Sequence, residues 1–289
     1  MRKRVNRMIR LNVIGDPVMH SKSPIVHGKV LDELGAKYEY DKVQVKKGGL
    51  EEYIKSAVAG GVTGFNLTMP HKVDIIPFLK EIDEDAKLFG AVNTVKINDG
   101  ELYGYNTDAG GLVLSLSMNG FDVKDKNIVI LGAGGVSSTI AVKFAVMGAK
   151  RIVILNRTPE KAENICSRID SIRDEFDIMA EVSFGGFEID TLKSCAGSCD
   201  MLLNATPLGM TGVDSDYEDL SFIDCLSNDA FVADLIYSPE KTKFLEYAEE
   251  HGHKIMNGYG MLIGQAILAD EIYLSQKLDV SELYTKVVG

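Results

Sequence analysis

Lys72 and Asp108 are the residues of this chain best suited to moving a proton. Lys72 closes the run Asn66-Leu67-Thr68-Met69-Pro70-His71-Lys72, and Asp108 follows Gly104-Tyr105-Asn106-Thr107. An ammonium can stabilise negative charge on a reacting oxygen and hand it a proton, while a carboxylate holds that ammonium in place. An arbitrary lysine is usually just solvated surface. Lys72 stands apart because it sits beside a proline-containing strand end where other polar residues converge. His20-Ser21-Lys22-Ser23, Thr68, Asn66 and Asn93 supply hydroxyls and amides that could hydrogen-bond a small polyhydroxylated molecule. His71 receives no catalytic role, since strand alternation would point it away from the face of Lys72.

A second set of residues suits a nucleotide. Gly132, Ala133, Gly134, Gly135 and Val136 follow an apolar run and lead into a helical pattern, with Ser137 in the place of a third glycine. Glycines let backbone approach a pyrophosphate, and the helix start adds N–H groups and positive partial charge. Some 20 residues on, a strand ends in Asn156, Arg157 and Thr158, with no Asp or Glu between Arg151 and Pro159. An acid there would bind a ribose 2′-hydroxyl and repel a 2′-phosphate. Arg157, Thr158 and Lys161 suit the phosphate, so the expected cofactor is NADP.

The elements that must position these residues follow from pattern. Residues 11–15 read as a strand. Residues 23–35 read as a helix with Ser23 as cap, Pro24 at its first position and Gly35 past its end. Strand, helix and strand patterns then continue to Thr68, which implies a parallel α/β sheet. Asn98-Asp99-Gly100 is a hairpin signal between strand-like arms, and closing it makes Asn93 and Asp108 neighbours. After a helix at 110–119, strands are expected at 127–131, 151–155, 200–204 and 231–235. A helical tail from residue 260 should return to the first domain. The expected fold is therefore α/β with two domains: 1–107 plus 259–289 for substrate and catalysis, and a Rossmann-like 108–258 for NADP.

Composition limits the alternatives. The chain has 289 residues, 45% hydrophobic and 25% charged, with a net charge of -11. That charge argues against nucleic acid, whose binding depends on neutralising phosphates. No run approaches the roughly 18 apolar residues of a membrane span. The four cysteines and five histidines lack metal-site spacing, so no metal is expected. The basic start, Arg2 to Arg10, reads as a disordered extension rather than a signal peptide. A small-molecule substrate, a cytoplasmic location and a homodimer as one available assembly complete the picture.

HSKSP (20–24), NLTMPHK (66–72), GAVNT (90–94), GYNTD (104–108), GAGG (132–135), NRT (156–158), NATPLGM (204–210), DLIY (234–237) and GYGMLIGQA (258–266) occur in the order seen in one family. Through these motifs the chain resembles the shikimate dehydrogenases. The resemblance implies NADPH-linked reduction of 3-dehydroshikimate to shikimate in aromatic amino-acid biosynthesis. It implies Lys72 and Asp108 as the catalytic pair, with Ser21, Ser23, Thr68, Asn93, Tyr237 and Gln265 holding substrate. It adds Thr206, Leu235 and Gly258 to the cofactor residues. Two other readings stand beside it: a quinate/shikimate dehydrogenase that uses NAD, and a non-catalytic NADP- or metabolite-sensing module on the same fold.

Overall fold

A computed structural model describes residues 8–288. The chain divides into two compact units, one running to Leu114 and resuming at Leu262, the other spanning Ser115–Met261.

The first unit contains β1 (Ile9–Gly15), α1 (Ser23–Glu33), β2 (Tyr38–Gln44), α2 (Leu50–Ala59), β3 (Gly64–Leu67), α3 (His71–Asp74), β4 (Glu81–Ile82), α4 (Glu84–Phe89), β5 (Thr94–Asn98) and β6 (Glu101–Tyr105). Its six strands lie in the order β2-β1-β3-β5-β6-β4. The β1 strand is parallel to β2 and β3, but β3–β5 and β5–β6 are antiparallel. The first three strands form the expected parallel arrangement, the strand sense changes at β5, and β4 pairs parallel with β6. The hairpin explains the change: Asp99 (φ 52°) and Gly100 (φ 80°) form a tight reversal that sends β6 back along β5. Ile14, Phe65, Leu67, Ile75, Val92 and Val95 pack as a core on this sheet.

Two local expectations need correction. Ser23 does not cap α1; it is the first helical residue, and its N–H donates to Ser21 Oγ at 3.2 Å. β1 begins two residues before the expected residue 11, so Ile9 and Arg10 are strand, and Arg10 pairs with Glu39 at 3.0 Å. The rest of the basic start, through Arg7, lies outside the described residues.

The second unit carries β7 (Asn127–Leu131), α6 (Gly135–Val146), β8 (Arg151–Leu155), α7 (Pro159–Ser171), β9 (Glu181–Gly185), α8 (Ile189–Ala196), β10 (Met201–Asn204), β11 (Phe231–Asp234), α9 (Lys243–Glu250) and β12 (Lys254–Met256). Its strands are all parallel, in the order β12-β11-β10-β7-β8-β9. β10 and β11 are fully buried and β7 and β8 are buried beyond their first residue, and all four read as the apolar runs expected of a sheet covered on both faces. α5 (Asp108–Met118) carries the chain from the first unit into the second, and α10 (Tyr259–Leu274) carries it back. The last helix spans Val280–Val288.

Within the first unit, the returning helix packs on the sheet. Asp270 Oδ1 lies 2.7 Å from His27 Nδ1, and both residues are fully buried. Lys96 Nζ donates to the carbonyl of Ile272 at 2.7 Å.

Candidate active site

Lys72 is placed by the turn after β3. The chain leaves the sheet at Leu67, passes a cis Met69–Pro70 bond and enters the short helix α3. The Lys72 carbonyl accepts the Val92 N–H at 2.8 Å, which ties this turn to the start of β5. His71 is helical rather than strand, and its buried ring sets Nε2 2.6 Å from the Val45 carbonyl. It is a packing contact in this position.

Asp108 is placed from the other side. Asn106 Oδ1 accepts the Asp108 N–H at 3.1 Å and starts the helix, so the carboxylate sits in a first turn where the helix dipole favours negative charge. Lys72 Nζ donates to Asp108 Oδ2 at 2.5 Å, with the two side chains 27% and 17% exposed. That partial exposure leaves the ammonium accessible while the pair stays fixed.

The other carboxylate oxygen is held by Asn93. Asn93 Nδ2 donates to Asp108 Oδ1 at 2.8 Å and to Thr107 Oγ1 at 3.0 Å. Asn93 Oδ1 accepts from the Thr107 N–H at 2.9 Å and from Thr94 Oγ1 at 2.9 Å. These contacts fix which way the amide points. The hairpin arms bring Asn93 and Asp108 together as the turn signal implied.

Of the other residues expected to hold substrate, Ser21 and Ser23 form a pair, Oγ to Oγ at 3.0 Å. The Thr68 N–H donates to the Ile14 carbonyl, and its methyl lies against Gly15. Gln265 Nε2 donates to the Leu262 carbonyl at 2.9 Å. Tyr237 lies in the second unit, two residues beyond Leu235. Sequence reasoning passed over Tyr40, Thr94 and Thr107, which hydrogen-bond within the same network. Thr107 stands next to Asp108 and Thr94 next to Asn93, so adjacency to the named residues was the available signal.

In the second unit, β7 ends at a turn that only glycine can make easily: Gly132 has φ +108°, and a Cβ there would lie 2.9 Å from the Ala205 carbonyl oxygen. Ala133 follows in the turn, and Gly134 and Gly135 begin α6 with an open side, where an added Cβ would meet nothing within 4 Å. Val136 is exposed beside them. This is a backbone cradle that fits a pyrophosphate at a helix start. At the end of β8, Asn156 Nδ2 donates to the Thr158 carbonyl at 2.8 Å, and Arg157, Thr158 and Lys161 are exposed. The residues present therefore fit a nucleotide carrying a 2′-phosphate.

A buried polar brace supports the neighbouring loops. Asn204 Oδ1 accepts from Thr206 Oγ1 at 2.7 Å and Tyr217 OH at 2.9 Å, and Asn204 Nδ2 donates to Asp234 Oδ1 at 3.0 Å. Asp234 also accepts from Thr242 Oγ1 at 2.7 Å and the Ile236 N–H at 2.9 Å. Burial nevertheless pushes its carboxyl up to about 6, with those hydrogen bonds opposing. Gly258 packs on Leu235, where a Cβ would lie 2.0 Å from the carbonyl oxygen.

Comparisons with known proteins agree across both units. Residues 13–95 match the family model described as the shikimate dehydrogenase substrate binding domain, and residues 115–226 match that of shikimate / quinate 5-dehydrogenase. The shikimate dehydrogenase (NADP(+)) of Alkaliphilus metalliredigens is 42% identical over 270 residues, 93% of each chain. Among solved structures, the shikimate 5-dehydrogenase of Listeria monocytogenes in complex with shikimate and NAD aligns with a TM-score of 0.85 at 30% identity, covering 98% of this chain and 97% of that one. The 5-ketofructose reductase of Gluconobacter sp. strain CHM43 aligns with a TM-score of 0.83 at 31% identity, covering 98% and 99%.

Proposed function

The chain belongs to the shikimate dehydrogenase family, and on that premise we propose that Lys72 and Asp108 carry the proton transfer in its reaction. It is an NADP-dependent oxidoreductase acting on a CH–OH group, interconverting 3-dehydroshikimate and shikimate in aromatic amino-acid biosynthesis. The observation that carries the assignment is the 2.5 Å contact of Lys72 Nζ with Asp108 Oδ2, made while Asn93 holds Oδ1.

When bound, NADPH supplies the hydride that reduces the substrate ketone. As charge grows on the carbonyl oxygen, the Lys72 ammonium stabilises it and donates a proton; in the reverse direction the amine takes the proton from the hydroxyl. Asp108 orients the lysine rather than reacting. Ser21 and Ser23 donate to the substrate carboxylate, and Thr68, Asn93, Tyr237 and Gln265 bind its remaining polar groups. The first unit is the substrate and catalytic domain on this reading, and the second holds NADP. Gly132 to Val136 take the pyrophosphate, Arg157, Thr158 and Lys161 take the 2′-phosphate with Asn156 fixing their turn, and Thr206, Leu235 and Gly258 border the cofactor.

The absence of an acid at 156–158 supports NADP over NAD as the working cofactor. Among the described residues no helix is long and apolar enough to cross a membrane. A cytoplasmic location fits an enzyme drawing on NADPH for biosynthesis, and sedimentation would test the homodimer. Initial rates with shikimate or quinate against NADP or NAD test the whole reading. Shikimate with NADP should give the highest kcat/KM, whereas preference for quinate with NAD would move the chain to the quinate/shikimate alternative. Tight binding of shikimate without turnover would favour the sensing module.

A further inference from the structure

The polar groups behind the Lys72–Asp108 pair form a single directed chain. Tyr40 OH donates to Asn66 Oδ1 at 2.7 Å. Asn66 Nδ2 donates to Thr94 Oγ1 at 3.1 Å, Thr94 Oγ1 donates to Asn93 Oδ1 at 2.9 Å, and Asn93 Nδ2 donates to Asp108 Oδ1 at 2.8 Å. Every link passes a donor in the same sense, from the Tyr40 hydroxyl to the carboxylate. Asn66, Thr94 and Asn93 are buried, so none of them can exchange its partner for water.

Tyr40 is the head of this chain. Its ring lies 4.9 Å from the ring of His27, itself held by Asp270. Burial and the Asp270 charge push its phenol well above the ordinary value, which keeps it a donor. The Asn66 amide has two orientations, and only one lets Thr94 turn its hydroxyl toward Asn93. The Tyr40 hydroxyl, donating to Asn66 Oδ1 at 2.7 Å, selects that one together with the longer 3.3 Å bond from Asn66 Nδ2 to the Asn93 carbonyl.

We propose that Tyr40 is a positioning residue for the reaction, acting through Asn66, Thr94 and Asn93 to fix the orientation of Asp108 and thereby of Lys72. The inference rests on the assignment of Lys72 and Asp108 made above. Without the Tyr40 hydroxyl, only the 3.3 Å bond to the Asn93 carbonyl opposes rotation of the Asn66 amide; once rotated it accepts from Thr94, and Asn93 loses a donor that fixes its amide. The consequence falls on kcat more than on KM, because Asn93 is one of six residues assigned to substrate whereas Asp108 is the carboxylate that holds Lys72.

The test is Tyr40→Phe in the full chain, which keeps the ring against His27. The expected result is a kcat lowered about five- to ten-fold, the worth of one net hydrogen bond, with KM for shikimate within about two-fold. In an Asn66→Ala background the same substitution should have no further effect on kcat, since the route is already cut. Thr94→Val, which breaks the next link, should reproduce the kcat loss and serves if Tyr40→Phe does not fold. A folded Tyr40→Phe with unchanged kcat, a change confined to KM, or full additivity with Asn66→Ala overturns the proposal. Lys72→Ala assayed alongside separates the two readings. If it is inactive while Tyr40→Phe is normal, only the relay fails; if it is active, the site assignment itself fails.

Discussion

Asn93 and Asp108 are joined by a hydrogen bond of 2.8 Å, so the carboxylate that holds Lys72 is itself held. Asn93 is 3% exposed and bonds in four directions, to Asp108, Thr94 and Thr107 twice over. Truncating it leaves the Thr107 N–H and the Thr94 hydroxyl without their acceptor and lets Asp108 rotate. Asn93→Ala should lower kcat by roughly ten- to a hundred-fold, the range for losing a hydrogen bond to a charged group. Steady-state kinetics on the folded variant check it, and a kcat within two-fold of the parent would count against a positioning role.

How far this pair could be read from sequence depends on the kind of contact. The Asn98-Asp99-Gly100 turn is legible because two consecutive positive φ values demand those residue types, and closing the hairpin puts Asn93 beside Asp108. The contacts of Asn66 with Thr94 were not legible. They depend on β3 pairing antiparallel to β5 with Asn66 opposite Thr94, and no local pattern sets that register. The missed strands β4, β9 and β12 all lie at sheet edges, and β4 and β12 have only two and three residues. Edge strands lack the apolar runs that mark β7 and β8. Ser23 had a cap's residue type but not its position, because the loop starts the helix one residue sooner and Ser21 accepts the free N–H.

Arg157 is exposed just after β8 and suits a 2′-phosphate. Arg157→Ala should raise KM for NADP by roughly ten- to a hundred-fold, as expected for a lost charge-assisted hydrogen bond. The kcat at saturating NADP should change little, and the use of NAD should be unaffected. Cofactor titrations with both nucleotides measure this, and equal losses with NADP and NAD would show that Arg157 does not read the phosphate.

Asp234 makes stability depend on pH. Its folded pKa of about 6 lies above the ordinary carboxyl value of about 3.9. Its favourable contribution is thus fully present below about pH 4 and is lost as pH rises through about 6, when a buried charge must form. Asp234→Asn can still accept from the Ile236 N–H and Asn204, and its amide can donate to Thr242. It should therefore be more stable than the parent by about 3 kcal/mol at pH 8, with the difference gone near pH 4. Thermal unfolding at the two pH values decides; a variant less stable at pH 8 would show that the charged form is the favoured one.

The central claim is that Lys72 gives and takes the proton, and the kcat of Lys72→Ala tests it most directly. With fold and substrate binding verified, the variant should lose most of its kcat, on the order of a hundred-fold or more, while KM for shikimate shifts far less. A folded Lys72→Ala enzyme that turns over shikimate at a near-parental kcat would contradict it.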